Sequence, residues 1–419
     1  MTMENSKQLK IAILGGGLGG LSSAVALRRS GHRVTIFERY DYAGEVGASL
    51  SCASNGGRWL HDWGIDPLKA KPVILKTLVR HDWSTGENEG VYELGDYEDK
   101  FGYPYYNFHR IDIHNVIKDY ATSSEGEGVP CELLVNHKAI KVDYETGHIE
   151  FENGSTFDAD LIVAADGIRS LTKPQIGISP KFKPSTSSCI RILFKTEDVL
   201  AKGLHDFSKN NSIEFWGGKD KNKIVLSPCS DNSVVSCYCF FENNGTDISD
   251  SWHNEISIET LLNSVPNLDP TLQTLFKECG YDIKQWRLYD HEPLPYFVKA
   301  STNGAKGVAL LGDAAHAMMP DQSQGAVAAF EDSGALGYIF SPKFNSLSME
   351  QRLKLYEEER KPRVTKIQAA SLRARENLNE RIGWSSSSDL KHEKKLTIEE
   401  VCGYDMKAHI DLLSKSLFS

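Results

Sequence analysis

The chain has 419 residues, of which 40% are hydrophobic and 25% are charged, and its formal net charge is −10 at pH 7. At about 150 residues per domain this length predicts two or three domains, and the composition excludes a disordered or fibrous protein. The acidic balance and the lack of a dense basic run predict that nucleic acid is not a partner.

The chain contains 8 cysteines, which form no CxxC pair and are too sparse for a disulfide scaffold. We therefore expect reduced thiols, no metal site and a cytoplasmic location. Residues 1–10 have no apolar segment behind a basic tip, and no run approaches the ~18 apolar residues of a membrane span. We expect no stable membrane insertion, and the sequence leaves the oligomeric state open.

The first forty residues predict one βαβ unit. Residues 11–14 are an apolar run typical of a strand that is buried on both faces, and the run stops at a glycine-rich turn. A helix is predicted from about residue 21 to residue 29, and a second strand at 34–37 ends in Glu38. This order and size are those of a βαβ unit.

The glycines of that turn have the spacing of a dinucleotide fingerprint. Gly15, Gly17 and Gly20 allow a tight turn, close approach of a diphosphate and close packing of helix on strand. Glu38 follows at a strand end, where its carboxylate can accept hydrogen bonds from ribose hydroxyls and would repel a 2′-phosphate. A glycine-rich turn without a ligand is the alternative interpretation.

The rest of the chain predicts a second domain and a helical end. Alternating strand patterns from Cys189 to Phe241 favour a mostly antiparallel sheet. A long charged helix is predicted over residues 356–379, followed by a polar loop at 385–388. Further strands are predicted at 133–142, 148–151, 161–165 and 308–311, and a further helix at 325–340.

A second chemical motif begins where the predicted strand 308–311 ends. Gly312 and Asp313 place a carboxylate at the carboxyl end of this strand, where open α/β sheets bind ligands. Gly325 and Ala326 begin the following helix, whose N–H groups would point at the same crevice. By pattern alone, an ordinary strand-turn-helix remains open.

Taken together, the motifs resemble those of the single-component FAD-dependent aromatic hydroxylases, the family of p-hydroxybenzoate hydroxylase, salicylate hydroxylase and 6-hydroxynicotinate 3-monooxygenase. The resemblance covers about residues 10–365. Three motifs carry it, at 15–20 with 38–39, at 160–170, and at 312–316 with 324–326 and 331–332. Smaller similarities lie at 47–48, 109–114, 292–295 and 356–363.

The resemblance implies how FAD is held at its adenosine and diphosphate end. Gly15, Gly17 and Gly20 would contact the diphosphate, and Glu38 would bind the adenosine ribose with Arg39 beside it. No Cys or His lies in a motif that we recognise as a flavin tether, so we expect non-covalent FAD.

The resemblance also implies the residues around the ribityl chain and the flavin ring. Ala48 would contact the cofactor, Arg110 would reach the ribityl–diphosphate region, and Asp313 would accept from a ribityl hydroxyl. Asp166 would serve both FAD and the pyridine nucleotide. Pro320 would line the flavin face, and Gly325 and Ala326 would offer N–H groups to the flavin pyrimidine.

The implied fold is α/β, with a glutathione-reductase-like FAD-binding domain, a smaller and mostly antiparallel substrate domain, and a C-terminal helical segment. We expect residues 1–75, 105–180 and 285–345 in the FAD-binding domain, 76–104 and 181–284 in the substrate domain, and 346–419 in the helical segment. The implied activity is that of an NAD(P)H-dependent monooxygenase. It would use O2 to hydroxylate a small phenolic or acidic aromatic substrate through a flavin C4a-hydroperoxide.

Three alternatives stay open. The same motifs would serve epoxidation or oxidative dearomatisation of an alkene or polyketide. A flavin oxidase or reductase should lack the second and third motifs together. The third alternative is a catalytically silent flavin-binding protein. The presence of Pro320 and of the intact Gly325-Ala326 pair argues against it.

The segment from Trp216 to Pro228 departs from the family. Relatives similar to 6-hydroxynicotinate monooxygenase carry a His and a Tyr where Lys223 and Ser227 stand in this chain. If Lys223 lines the pocket, its ammonium would favour an acidic or phenolate substrate, and Ser227 would leave room for a bulkier one. A solvated hairpin lysine is the alternative.

Overall fold

The computed structural model describes residues 8–41, 47–179, 181–217, 222–242, 254–384 and 395–419. Its strands are β1 (Lys10–Leu14), β2 (Arg33–Phe37), β3 (Ser49–Cys52), β4 (Val73–Ile74), β5 (Thr77–His81), β6 (Asn88–Glu93), β7 (Tyr106–His109), β8 (Glu132–Leu134), β9 (Ala139–Asp143), β10 (His148–Phe151), β11 (Thr156–Asp158), β12 (Leu161–Ala164), β13 (Phe182–Lys195), β14 (Ser212–Gly217), β15 (Lys223–Cys229), β16 (Val234–Glu242), β17 (Tyr281–His291), β18 (Val298–Ala300) and β19 (Gly307–Leu310).

The helices lie between groups of these strands and dominate the end of the chain. They are α1 (Leu18–Arg29), α2 (Ser54–Asp62), α3 (Tyr97–Phe101), α4 (Arg110–Thr122), α5 (Thr172–Gln175), α6 (Thr196–Ala201), α7 (Ile258–Ser264), α8 (Pro270–Cys279), α9 (Asp313–His316), α10 (Gly325–Ile339), α11 (Met349–Glu376), α12 (Ile398–Cys402) and α13 (Met406–Phe418).

A six-stranded sheet forms the centre of the first unit, in the order β18-β19-β12-β1-β2-β8. Strand β1 pairs in parallel with β2 and β12, so that Ile13 lies opposite Ile36 and Val163. These residues are fully buried because helices cover the sheet, as the continuous apolar runs predicted. Helix α1 begins at Leu18, three residues before the predicted start, because Gly17 is already the extended N-cap.

A seven-stranded sheet forms the second unit, in the order β17-β13-β16-β15-β14-β5-β6. Its pairs are antiparallel except for β14 with β5, which are parallel. One face packs on α7 and α8, where Cys237 and Cys239 join the buried core with Leu272 and Phe276. The inner face carries Phe240 and aromatic neighbours, which pack against Met319 of the first unit.

The predicted strand at 133–142 is two strands, β8 and β9, separated by a turn in which Asn136 has a φ of +56°. The predicted helix 356–379 is the longer α11, which begins at Met349 behind a capping box at Ser348 and ends at Glu376. The predicted polar loop at 385–388 lies outside the described residues.

The C-terminal helices pack back onto the first unit. Lys407 at the start of α13 pairs with Asp62 at 2.6 Å, and the guanidinium of Arg58 donates to the carbonyl oxygens of Tyr404 and Cys402. The predicted fold class, with one parallel sheet, a second mostly antiparallel sheet and a helical C-terminal segment, is confirmed. Among the described residues, no helix has the length and apolar character needed to cross a membrane.

Candidate active site

The glycine turn after β1 is shaped by close packing. Gly15 has a φ of +109°, and a Cβ added there would lie 2.3 Å from the carbonyl oxygen of Ala165. A Cβ on Gly20 would lie 1.9 Å from the carbonyl oxygen of Gly15. The N-cap of α1 is Gly17, which has no side chain with which to cap the helix. The first-turn N–H groups are therefore available to an anion such as a diphosphate.

Glu38 lies beside this turn, at the end of β2. Its Oε2 accepts from the backbone N–H of Gly16 at 2.8 Å, and its Oε1 accepts from the backbone N–H of Tyr40 at 3.0 Å. Each carboxylate oxygen can accept a further hydrogen bond, for instance from a ribose hydroxyl. Arg39 is exposed and its guanidinium stacks over the Tyr40 ring at 4.8 Å.

His114 of α4 contacts the backbone of the glycine turn, a role that the sequence did not indicate. Its Nε2 lies 2.8 Å from the carbonyl oxygen of Gly16. Burial lowers the pKa of His114, so the neutral ring can donate this hydrogen bond.

Replacing Glu38 by alanine should lower FAD affinity by ~1–3 kcal/mol, which is the scale for loss of a pair of charge-assisted hydrogen bonds. Fluorescence titration of the apoprotein with FAD measures this change. The control is Glu132→Ala, since Glu132 is an exposed carboxylate on the adjoining strand β8. Equal FAD affinity in Glu38→Ala and the unmodified protein would remove Glu38 from the site.

Asp166 follows β12, the strand next to β1. Its Oδ2 accepts from the backbone N–H groups of Leu171 and Thr172 and from the Thr172 hydroxyl, at 3.0–3.3 Å. Its Oδ1 is buried and has no hydrogen-bond partner among the described residues. A buried carboxylate oxygen without a partner is costly, which indicates that a ligand completes this site.

The third motif follows β19, the next strand of the sheet. Gly312 has a φ of +60° and leads directly into Asp313, which is exposed. Pro320 is also exposed, and a Cβ added to Gly325 at the start of α10 would meet nothing within 4 Å. The side chain of Gln324, the N-cap residue of α10, accepts from Asn55 at 3.0 Å and does not cap the helix, so this helix also presents first-turn N–H groups to open space.

The three motifs meet at one edge of the sheet. Strands β1, β12 and β19 are parallel neighbours, so their carboxyl ends bring Gly15, Asp166 and Asp313 together. Two uncapped helix N-termini, one unpartnered carboxylate oxygen and an open glycine surround this edge. These helix N–H donors and this carboxylate acceptor fit the diphosphate, ribityl chain and flavin ring of FAD.

The segment at Ala48 and Arg110 adjoins the same edge. The backbone N–H of Arg110 donates to the Ala48 carbonyl oxygen at 2.8 Å, next to the paired strands β3 and β7. Burial raises the pKa of Tyr238 on β16, and the nearby charges of Arg110 and Arg191 oppose that rise. Arg110 therefore lies near Tyr238 on the inner face of the second sheet.

Comparison with known proteins agrees with this geometry. A family model described as an FAD binding domain matches residues 8–371. The chain is 29% identical to hispidin-3-hydroxylase from Neonothopanus nambi, over 99% of this chain and 98% of that protein. It is 26% identical to 6-hydroxynicotinate 3-monooxygenase from Pseudomonas fluorescens, over 87% of this chain and 91% of that protein. A solved salicylate hydroxylase substrate complex superposes with a TM-score of 0.73 at 20% identity, covering 99% of this chain and 100% of that chain.

The chain belongs to the FAD-dependent monooxygenases of the aromatic hydroxylase family. The family resemblance seen in the motifs is thereby confirmed, as is FAD as the cofactor. The roles assigned to individual residues stay predictions.

In this monooxygenase a buried ion network supports the third motif. Asp332 accepts from the backbone N–H of Gly312 at 3.0 Å, from Arg360 at 2.7 Å, and lies 2.6 Å from His316 Nε2. Glu331 binds Arg363 with both oxygens, at 2.7 and 2.9 Å. The sequence showed these residues only as motif similarities, because their pairing depends on how α10 packs against α11.

Lys223 is not the solvated hairpin lysine of the alternative interpretation. It is buried rather than solvated, with a side chain 2% exposed, and it forms an ion pair with Asp321. Its ammonium also donates to the Ala374 carbonyl oxygen at 2.8 Å. Ser227 donates to the Ser49 hydroxyl at 2.8 Å. Direct substrate contact by Lys223 stays a prediction.

Proposed function

We propose that this monooxygenase hydroxylates an activated aromatic ring, phenolic or acidic, with consumption of NAD(P)H and O2. The balanced reaction is ArH + NAD(P)H + H⁺ + O2 → ArOH + NAD(P)⁺ + H2O. FAD supplies the redox chemistry between NAD(P)H and O2 when it is bound. The observation that carries the proposal is the convergence of the three motifs at one sheet edge, opposite an aromatic wall of the second sheet.

That wall is the inner face of the seven-stranded sheet. Phe240 and Trp286 are buried there, and Tyr238 packs edge-on against Trp286 with ring centroids 6.5 Å apart. Tyr238 and Val225 keep some exposed surface although they lie on interior strands of the sheet, which indicates open space above them. Apolar and aromatic walls of this kind suit a planar aromatic substrate and exclude water from the reacting atoms.

The chain's own residues would hold and orient the reactants. Gly325 and Ala326 would donate N–H groups to the flavin pyrimidine, where negative charge appears on reduction, and Pro320 would cover the flavin face. We further propose that residues 1–75, 105–180 and 285–345 form the FAD-binding domain. The predicted domain boundary at residue 285 falls within β17. This strand pairs with β13 and so belongs to the second sheet.

NAD(P)H would bind transiently. The described residues contain one βαβ unit with a Gly-x-Gly-x-x-Gly turn, and FAD would occupy it. The hydride donor would then approach across the surface near Asp166 to Arg169.

The proposal is tested by substrate-dependent oxidation of NADH and NADPH. Hispidin, 6-hydroxynicotinate and salicylate are suitable first compounds, because relatives or structural neighbours carry their names. We expect at least one of them, or a related phenol, to accelerate NAD(P)H oxidation and to yield a product one oxygen atom heavier. FAD-loaded protein that forms no oxygenated product from any phenolic or acidic aromatic would contradict the proposal, and an epoxide product would favour the alkene alternative.

A further inference from the structure

The turn that follows Pro320 is held from two directions. Lys223 on β15 pairs with the Asp321 side chain, and Arg375 near the end of α11 lies 3.5 Å from the same carboxylate oxygen. Arg381, beyond α11, donates to the Asp321 backbone carbonyl oxygen at 2.8 Å. We call Lys223, Asp321, Arg375 and Arg381 the Asp321 junction.

The next residue in the turn is fixed by the same C-terminal segment. Gln322 donates to the carbonyl oxygens of Ala370 and Glu380, at 3.1 and 2.9 Å, and accepts from the backbone N–H of Ile382 at 2.7 Å. The turn therefore joins three parts of the molecule: the second sheet, the C-terminal segment and the third motif.

The Asp321 junction is buried. The side chains of Lys223, Asp321 and Arg375 are 2%, 0% and 1% exposed. Removing one partner from a buried ion pair leaves an uncompensated charge, whereas a hydrophobic replacement of the whole pair is often tolerated. The Lys223–Asp321 ion pair therefore need not stabilise the folded protein, and it is better explained as fixing the position of the turn at Asp321.

The geometry that it specifies is that of the flavin-facing turn. Pro320 precedes Asp321 directly and is exposed on the open side, while Ser323 turns the chain with a φ of +54° into the start of α10. Because Pro320 is bonded directly to Asp321, a displacement of Asp321 would also move Pro320.

We propose that Lys223 and Asp321 are positioning residues that hold the Pro320 turn closed over the flavin site, with Arg375 and Arg381 completing the anchor. The second sheet, through Lys223, and the C-terminal segment, through Arg375 and Arg381, then both fix the turn that excludes water from the flavin. This inference rests on the proposed function, because water exclusion matters to an oxygen-transferring flavin.

The pairing should depend on pH. Burial lowers the pKa of Lys223 to about 8, although the charge of Asp321 opposes this effect and the charge of Arg375 adds to it. Among the described residues, the charged groups that shift the pKa of Lys223 are Asp321, Arg375 and Arg381. Two further titratable groups lie near these charges: Cys189 near Asp321 and Arg375, and Tyr105 near Arg381. Burial raises the pKa of both. The ammonium is therefore present below about pH 8 and is lost above it, which weakens the hold on Asp321.

The test uses hydrogen–deuterium exchange of residues 318–326, in apoprotein and FAD-loaded protein, with the visible flavin spectrum as a second readout. In Lys223→Met and in Asp321→Asn we expect the protection factors of this segment to fall at least about tenfold at pH 7, with a flavin spectrum closer to that of free FAD. The wild-type protection should fall as pH rises through about 8. Lys223→Arg, which keeps its charge, should retain protection to higher pH.

The control is Lys202→Met, which removes an exposed ion pair with Glu278 in the same sheet unit. Wild-type protection in both Lys223→Met and Asp321→Asn would overturn the inference. Loss of protection in Lys223→Met without any pH dependence in the wild type would overturn the charge-based role. Neither readout needs a substrate, so failure to find hydroxylation would be distinguishable from failure of this inference.

Discussion

Replacing Arg360 by methionine should lower the free energy of unfolding by about 3–5 kcal/mol, because it leaves buried carboxylates without their counter-charge. Arg360 is fully buried, donates to Asp332 at 2.7 Å and lies 2.9 Å from Glu331. Urea denaturation followed by circular dichroism measures the change. The control is Lys407→Met, which removes the exposed Lys407–Asp62 pair and should cost no more than about 1 kcal/mol.

The same network sets the acid sensitivity of the fold. Burial opposes ionisation of Glu331 and Asp332, but the charges of Arg363 and Arg360 on the first, and of His316 and Arg360 on the second, outweigh it and lower both pKa values to about 2. Each carboxylate therefore contributes stability at neutral pH, which is lost as pH falls from about 4.5 to about 2 for Glu331 and from about 3.8 to about 2 for Asp332. A change below 1 kcal/mol in Arg360→Met at pH 7 would contradict this role of the network.

Replacing Gly15 by alanine should disrupt both the glycine turn and FAD binding. The residue has a φ of +109°, and the added Cβ would lie 2.3 Å from the carbonyl oxygen of Ala165. Positive φ and overpacking each cost of order 1–3 kcal/mol, so we expect a combined loss of at least about 2 kcal/mol. Denaturation of the apoprotein and titration with FAD measure the two consequences.

Gly154→Ala separates the two causes. Gly154 also has a positive φ, +85°, but an added Cβ there meets nothing within 4 Å. This variant should show only the backbone cost and should bind FAD normally. If Gly15→Ala bound FAD as tightly as the unmodified protein, the glycine turn would not be the diphosphate site.

The elements that could be predicted from sequence are those with strong local signals. The βαβ unit can be predicted because its strands, which are buried on both faces, are continuous apolar runs and its glycines lie between strand and helix. The sequence pattern places the start of helix α11 at residue 356, but the helix begins at Met349, where Met349 and Leu353 are already buried on the same face as Tyr356. The capping box at Ser348 was the signal that could have placed its start.

The contacts that could not be predicted join residues far apart in the chain. Arg28 is an example: it is fully buried in α1 and donates to five backbone carbonyl oxygens between Tyr120 and Gly128. Lys223 likewise meets Asp321 only because the sheet register and the packing of α11 bring them together. Sequence patterns report local periodicity and do not encode such distant pairings.

The central claim, that the enzyme transfers one oxygen atom from O2 to an aromatic ring, is tested most directly by turnover under O2 labelled with oxygen-18. The FAD-loaded protein is supplied with NAD(P)H and an accepted phenolic substrate, and the product is analysed by mass spectrometry. We predict one labelled oxygen in each hydroxylated product and one NAD(P)H consumed for each product formed. Oxygen derived from water, or NAD(P)H oxidation that yields only hydrogen peroxide, would contradict the account.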